Sequence, residues 1–192
     1  MNKPFIHLRC LSSYSLSEST LKIPNLVSQA KNNNMPAIAL TDNNNMFGVF
    51  EFSQECLKNN IQPIIGTSIN YLPIANKKKI SQITFLAKDE IGYRNLLHLS
   101  SLSHINNTTG VGVNLEDIET HSKGLFCYIG GEYNPLMILK TENRNNEFID
   151  FIENFKKIFD DNFLFEILAF LVRAVGGGCF WGAEKLKENN RK

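Results

Sequence analysis

Apolar and polar positions in this chain fall into short runs that switch repeatedly between a strand-like and a helix-like period. Residues 5–10 form a mostly apolar run suited to a first strand, and the serine-rich residues 12–19 follow as a loop. Pro24 opens a helix with Leu26, Val27 and Ala30 on one side, ended by the asparagines at 32–34. Residues 37–40 read as a buried strand, 41–45 as the loop at its C-terminal end and 47–57 as the next helix. A strand at 62–65 is expected to stop at Gly66, with further strands at 69–72 and 83–87. Helical patterns at 90–102, 115–119 and 147–159 are interleaved with strands at 125–129 and 163–167. Strands alternating with helices predict an α/β fold with a mainly parallel sheet, doubly wound or barrel-like, and chemistry at the C-terminal ends of the strands.

Composition narrows this picture. With 192 residues and 43% apolar content the chain has enough material for one core. The net charge of +1 supplies no field for capturing nucleic acid, and the basic run Lys77, Lys78 and Lys79 reads as a solvated turn, so no direct nucleic-acid binding is expected. Cys10, Cys56, Cys127 and Cys179 form no C-x-x-C pair, which fits reduced thiols of a cytoplasmic protein. The start lacks the apolar stretch of a signal peptide, and the apolar residues 163–175 are too short for a membrane span. The asparagine runs at 32–34 and 43–45 read as drift in coding composition.

The residues at the predicted strand ends are His7, Arg9, Leu11, Ser12, Tyr14 and Glu18, then Thr41, Asp42 and Asn43, then Gly66 and Ser68, with Gln82 near the start of a later strand. The segments HLRCLSSYSLSES, MPAIALTDNNNMFGVFEF, IQPIIGTSINY, ITFLAKDEIGYRNLLHLSSL and FDDNFLFEI occur in that order. Together they resemble the N-terminal polymerase-and-histidinol-phosphatase (PHP) domain of bacterial DNA polymerase III alpha subunits, over residues 2–167. The resemblance implies a distorted TIM-like βα barrel, truncated here. It also implies that metal-binding members carry H-x-H after the first strand, a His after the Thr-Asp of the second and an acidic residue after the Ile-Gly of the third. Arg9 and Leu11, Asn43 and Ser68 fill those slots, and Gln82 stands where a further His is often found.

Guanidinium, isobutyl and carboxamide groups do not replace imidazole and carboxylate as ligands of a first-row divalent ion. The expected cofactor set is therefore empty, and a weak Mg²⁺ site would have only Glu18 and Asp42 to rest on. Arg9 is expected either to balance the remaining charge by pairing with Asp42 or Glu18 or to be a solvated surface residue. His98, His104 and His121 lack metal-ligand spacing and read as surface or core-edge residues, while Gly92 to Asn95 reads as the first turn of a helix.

Residues 168–192 depart from that family and read as an unrelated tail. The phrase GGGCFWGAE within it resembles the active-site signature of type A peptide-methionine sulfoxide reductases, which implies Cys179 as nucleophile and Phe180 and Trp181 as a methyl pocket. Nucleophile and proton donor must be assembled together, and the remainder of that catalytic domain has no counterpart here. The junction reads as two coding pieces joined, and an unclosed barrel is expected to leave unpaired strand edges. The resemblance implies a replication scaffold that belongs with the rest of the polymerase alpha subunit and docks the proofreading exonuclease subunit. The alternatives are a metal-dependent phosphoesterase or proofreading nuclease, and a sulfoxide reductase fragment.

Overall fold

The computed structural model describes residues 5–74, 81–105, 111–131 and 133–165. Five strands form one sheet in sequence order: β1 (Ala37–Leu40), β2 (Gln62–Asn70), β3 (Gln82–Ala87), β4 (Leu125–Ile129) and β5 (Phe163–Phe165). The helices are α1 (Ile23–Asn32), α2 (Val49–Lys58), α3 (Glu90–Ile105), α4 (Leu115–Thr120), α5 (Pro135–Thr141) and α6 (Asn145–Phe159).

The sheet is mixed, which corrects the expectation of a mainly parallel one. β1 pairs with β2 and β4 with β5 in parallel, whereas β3 is antiparallel to both its neighbours. The cause is the connection after β2. Residues 71–81 are too few for a helical crossover, since parallel strands need a dozen or more residues between them, so the chain returns antiparallel. As a result the N-terminal end of β3, with Gln82, lies on the same edge as the C-terminal ends of the other four strands.

Three further expectations are revised. Gly66 does not end a strand, because β2 runs through it and Gly66 pairs with Leu86. The strand expected at 69–72 is the end of β2 followed by a short 3-10 turn at Leu72–Ile74. Residues 5–10 are not a regular strand and bend at Leu8: Ala39 N–H donates to His7 O and Thr41 N–H to Cys10 O. A regular parallel ladder would advance two residues on each side, whereas here it advances two against three, which is a bulge. Helix α5 has no counterpart in the expected pattern, being a short helix of 7 residues capped by Asn134, whose side chain accepts from Met137 N.

Two hydrophobic clusters hold the layers. One joins α1, β1 and α2 through Ile23, Val27, Ala30, Leu40, Phe52 and Cys56. The larger one packs α3 to α6 on β2 to β4, with Ile69, Phe85, Leu96, Leu99, Cys127 and Ile129 buried. Phe151, Phe155 and Phe159 repeat every four residues along one face of α6. Phe151 and Phe155 stack at 4.1 Å, and Tyr71 meets both edge-on at 5.7 Å.

The asparagines are structural. Asn34, Asn60 and Asn143 have φ of 53°, 55° and 58° and stand just past the ends of α1, α2 and α5. At each, the next residue's N–H reaches back to close the helix: Met35 to Ala30 O, Ile61 to Cys56 O and Arg144 to Leu139 O. This is the Schellman arrangement, in which asparagine is the side chain most tolerant of the left-handed position after glycine.

Candidate functional site

The loops after residue 10 and after β1 and β2 converge on Asp42. Its side chain is buried, 1% exposed, and its carboxylate is surrounded by short hydrogen bonds. Ser12 N–H and the Ser15 hydroxyl donate to Oδ1 at 2.7 and 2.6 Å, and the Ser12 hydroxyl donates to Oδ2 at 2.6 Å. Each serine oxygen also accepts, from Tyr14 N–H and Asn43 N–H respectively, so both hydroxyls are held in orientation. The Asp42 carbonyl accepts from Ser68 N–H and the Thr67 hydroxyl, which fastens the end of β1 to β2. Charge-assisted bonds of this length are the strong class, and together they answer the desolvation cost of a buried carboxylate.

Around this centre the other strand-end residues separate into groups. Asn43 Nδ2 donates to Glu18 Oε2, while Asn43 Oδ1 is buried without a hydrogen-bond partner. Ser68 shares a hydrogen bond with Thr84 at 2.8 Å, and Gln82 Nε2 donates to Asn70 Oδ1 at 3.3 Å. His7 and Leu11 line a cavity of about 370 Å³ on the α1 side with Leu26, Ala30 and Ile38. Cys10 lines it too, and burial pushes its thiol up to about 11, so it is a weak nucleophile at neutral pH.

Arg9 does not pair with Asp42 or Glu18, the first of its two expected roles: among the described residues it takes part in no ion pair. The carboxylates are already served by neutral donors, the serines for Asp42 and Asn43 for Glu18. The guanidinium instead lies directly against Gly131, just past β4, where a Cβ would overlap it. Since residues 7–10 lie beside β1, this contact spans the strand-end mouth from β1 to β4 and shows that the sheet curls.

Sequence reasoning passed over the residues that hold these loops. Asn44, with φ of 54°, accepts on its side chain from Asn70 N–H and on its carbonyl from His104 Nε2 at 2.7 Å. Asn45 Nδ2 donates to the carbonyls of Tyr14 and Asn43. The available signal was the asparagine run after Asp42, since asparagine supports local turns and left-handed backbone. Among the described residues no three His, Cys, Asp or Glu side chains gather in a metal-binding group. Cys179, Phe180 and Trp181 lie outside the described residues.

The family model described as PHP domain matches residues 7–169. The chain belongs to the PHP domain family. This PHP chain is 38% identical over 173 residues to DNA polymerase III subunit alpha of Rickettsia conorii, covering 88% of the chain and 14% of the relative. It is also 38% identical over 178 residues to the same subunit of Borreliella burgdorferi, covering 85% of the chain and 15% of the relative. It thus spans about one seventh of the length of these relatives. Among solved structures, an amidohydrolase from Chromobacterium violaceum with bound sulfate and no metal aligns at a TM-score of 0.47 and 12% identity, covering 76% of this chain and 73% of that one. The family and the curled mixed sheet give the PHP chain its class: α/β, of the TIM-like barrel type, with five strands among the described residues. No helix among the described residues is long and apolar enough to cross a membrane.

Proposed function

We propose that this chain is the PHP portion of a cytoplasmic replicative DNA polymerase III alpha subunit and serves that polymerase as a scaffold, without phosphoesterase chemistry of its own. The observation that carries the reading is the serine cage on Asp42. In a PHP phosphoesterase the strand-end groups hold divalent ions, which lower the pKa of bound water and neutralise the charge of the reacting phosphate. Here the donor set does not fit such a cluster. Both oxygens of Asp42 are engaged by protein donors, and Glu18 is engaged by Asn43. Arg9 adds positive charge across the mouth, and a carboxamide oxygen at Asn43 does not hold a first-row ion by itself. The same engagement argues against a weak Mg²⁺ at Glu18 and Asp42.

The identity to DNA polymerase III alpha subunits supports the rest of that polymerase as the physical partner; the proofreading exonuclease subunit is proposed as a second. The comparisons lend the reductase reading no support, and Cys179 lies beyond the residues 7–169 that the PHP match covers.

The test is phosphatase and 3′-exonuclease assay of the purified chain with Mn²⁺, Zn²⁺ or Mg²⁺, beside co-purification with the remaining polymerase polypeptide supplied in trans. Activity at background in every metal, together with stable co-purification, is the expected result. A metal-dependent activity abolished by Asp42→Asn would overturn the scaffold reading in favour of a nuclease.

A further inference from the structure

Helix α3 and the turn after α4 meet along a line remote from Asp42, in three successive contacts. Gly92 touches Gly124 so closely that a Cβ on Gly92 would overlap the Gly124 carbonyl. One turn further along α3, Asn95 Nδ2 donates to Lys123 O at 2.7 Å. At the third contact the imidazoles of His98 and His121 lie with centroids 5.5 Å apart and planes inclined by 34°. Residues 92, 95 and 98 share one helical face at three-residue spacing, and the turn runs past that face in the opposite direction. Lys88 N–H, donating to Gly124 O at 2.9 Å, fixes the near end of the same seam. The two histidines are thus brought together by elements that are clamped beside them.

His121 is also oriented. Its Nδ1 lies 2.9 Å from the backbone carbonyl of Asp117, an acceptor, so Nδ1 carries the proton. The neutral ring then has its lone pair on Nε2. A backbone carbonyl holding the far nitrogen is how metal-binding histidines are commonly fixed. His98 is exposed and His121 half-exposed, so solvent and ions reach both. The spacing suits a shared ion: with zinc about 2.0–2.1 Å from each nitrogen in tetrahedral geometry, two ring centroids on one ion stand about 5 Å apart.

We propose that His98 and His121 form a two-imidazole site for a borderline divalent transition ion such as Zn²⁺, with water filling the remaining positions, and that the bound ion bridges α3 to the α4 turn. Imidazole suits zinc, nickel and copper, and an N-only pair with water discriminates against Mg²⁺ and Ca²⁺, which take oxygen ligands. The site is independent of the strand-end residues and of the scaffold reading.

The experiment is calorimetric titration of the tag-free full chain with Zn²⁺ under reducing conditions, beside His98→Ala and His121→Asn. The second substitution keeps a polar group at the helix end while removing the imidazole. Circular dichroism verifies that both variants are folded. The expected result is one saturable equivalent of Zn²⁺ whose affinity falls by at least about tenfold in each variant, with no comparable uptake of Mg²⁺. Three outcomes overturn the proposal: no saturable Zn²⁺ uptake, uptake unchanged in both variants, and uptake lost in only one of them.

Discussion

At the scale of single residues the centre of this molecule is a carboxylate that meets only protein donors. Removing one of them exposes what the cage contributes. Ser15→Ala deletes a 2.6 Å bond to Asp42 and the acceptor for Asn43 N–H at once. Leaving a buried partner unsatisfied costs about 1–3 kcal/mol, and more for a charged group. Urea denaturation of Ser15→Ala is therefore expected to show a loss at or above the top of that range, and a change within error would show that water replaces the hydroxyl. Gly131 gives a second test. It has φ of +82° and lies against the Arg9 guanidinium, so Gly131→Ala strains the backbone and displaces the arginine. The variant is expected to lose about 1–2 kcal/mol. Combining it with Arg9→Ala removes the clash but not the backbone term, so the double-mutant cycle has a favourable coupling energy.

At the scale of elements, α1, α2 and α5 end on asparagine and α6 packs through aromatic rings. Asn60 closes α2 in the left-handed region, with Ile61 N–H bonded to Cys56 O at 3.0 Å. Asn60→Val forces a β-branched residue into that conformation and is expected to cost about 1–2 kcal/mol, whereas Asn60→Gly is expected to cost nothing. Equal stabilities for the two variants would show that the end of α2 frays without loss. Phe155 is fully buried, between Phe151 and Phe159 on α6 and against Tyr71. Phe155→Ala should destabilise by about 3–5 kcal/mol in chemical denaturation. Both expectations follow from patterns visible in the amino-acid order, the phenylalanine repeat and the asparagines after α1, α2 and α5. Only the backbone angles gave the asparagines a structural meaning in place of a compositional one.

At the scale of the whole molecule, buried thiols couple folding to alkaline pH. Burial raises Cys10 and Cys56 from the ordinary 9.0 to about 11, helped at Cys56 by the Glu55 carboxylate, and raises Cys127 as well. The folded state favours the neutral thiol. Their contribution is therefore fully present below pH 9, the unfolded value, and is lost as pH rises through about 11. Denaturation midpoints at pH 8 and pH 10.5 should fall less in a Cys10→Ala/Cys56→Ala variant than in the parent, and equal falls would show that other groups govern the loss. What the amino-acid order determined by itself was the alternation of strands and helices, most of their positions, and the chemical types at the strand ends: arginine, leucine, asparagine and serine in a barrel mouth. Those features are local, set by period-2 and period-3.6 patterns and by the atoms each side chain carries. The reversal of β3 was hidden in a connection too short to return in parallel. The serine cage on Asp42, the reach of Arg9 to Gly131 and the meeting of His98 with His121 were decided by the tertiary structure. Each joins residues more than twenty positions apart, and no periodicity records which distant groups a curled sheet brings within hydrogen-bonding distance.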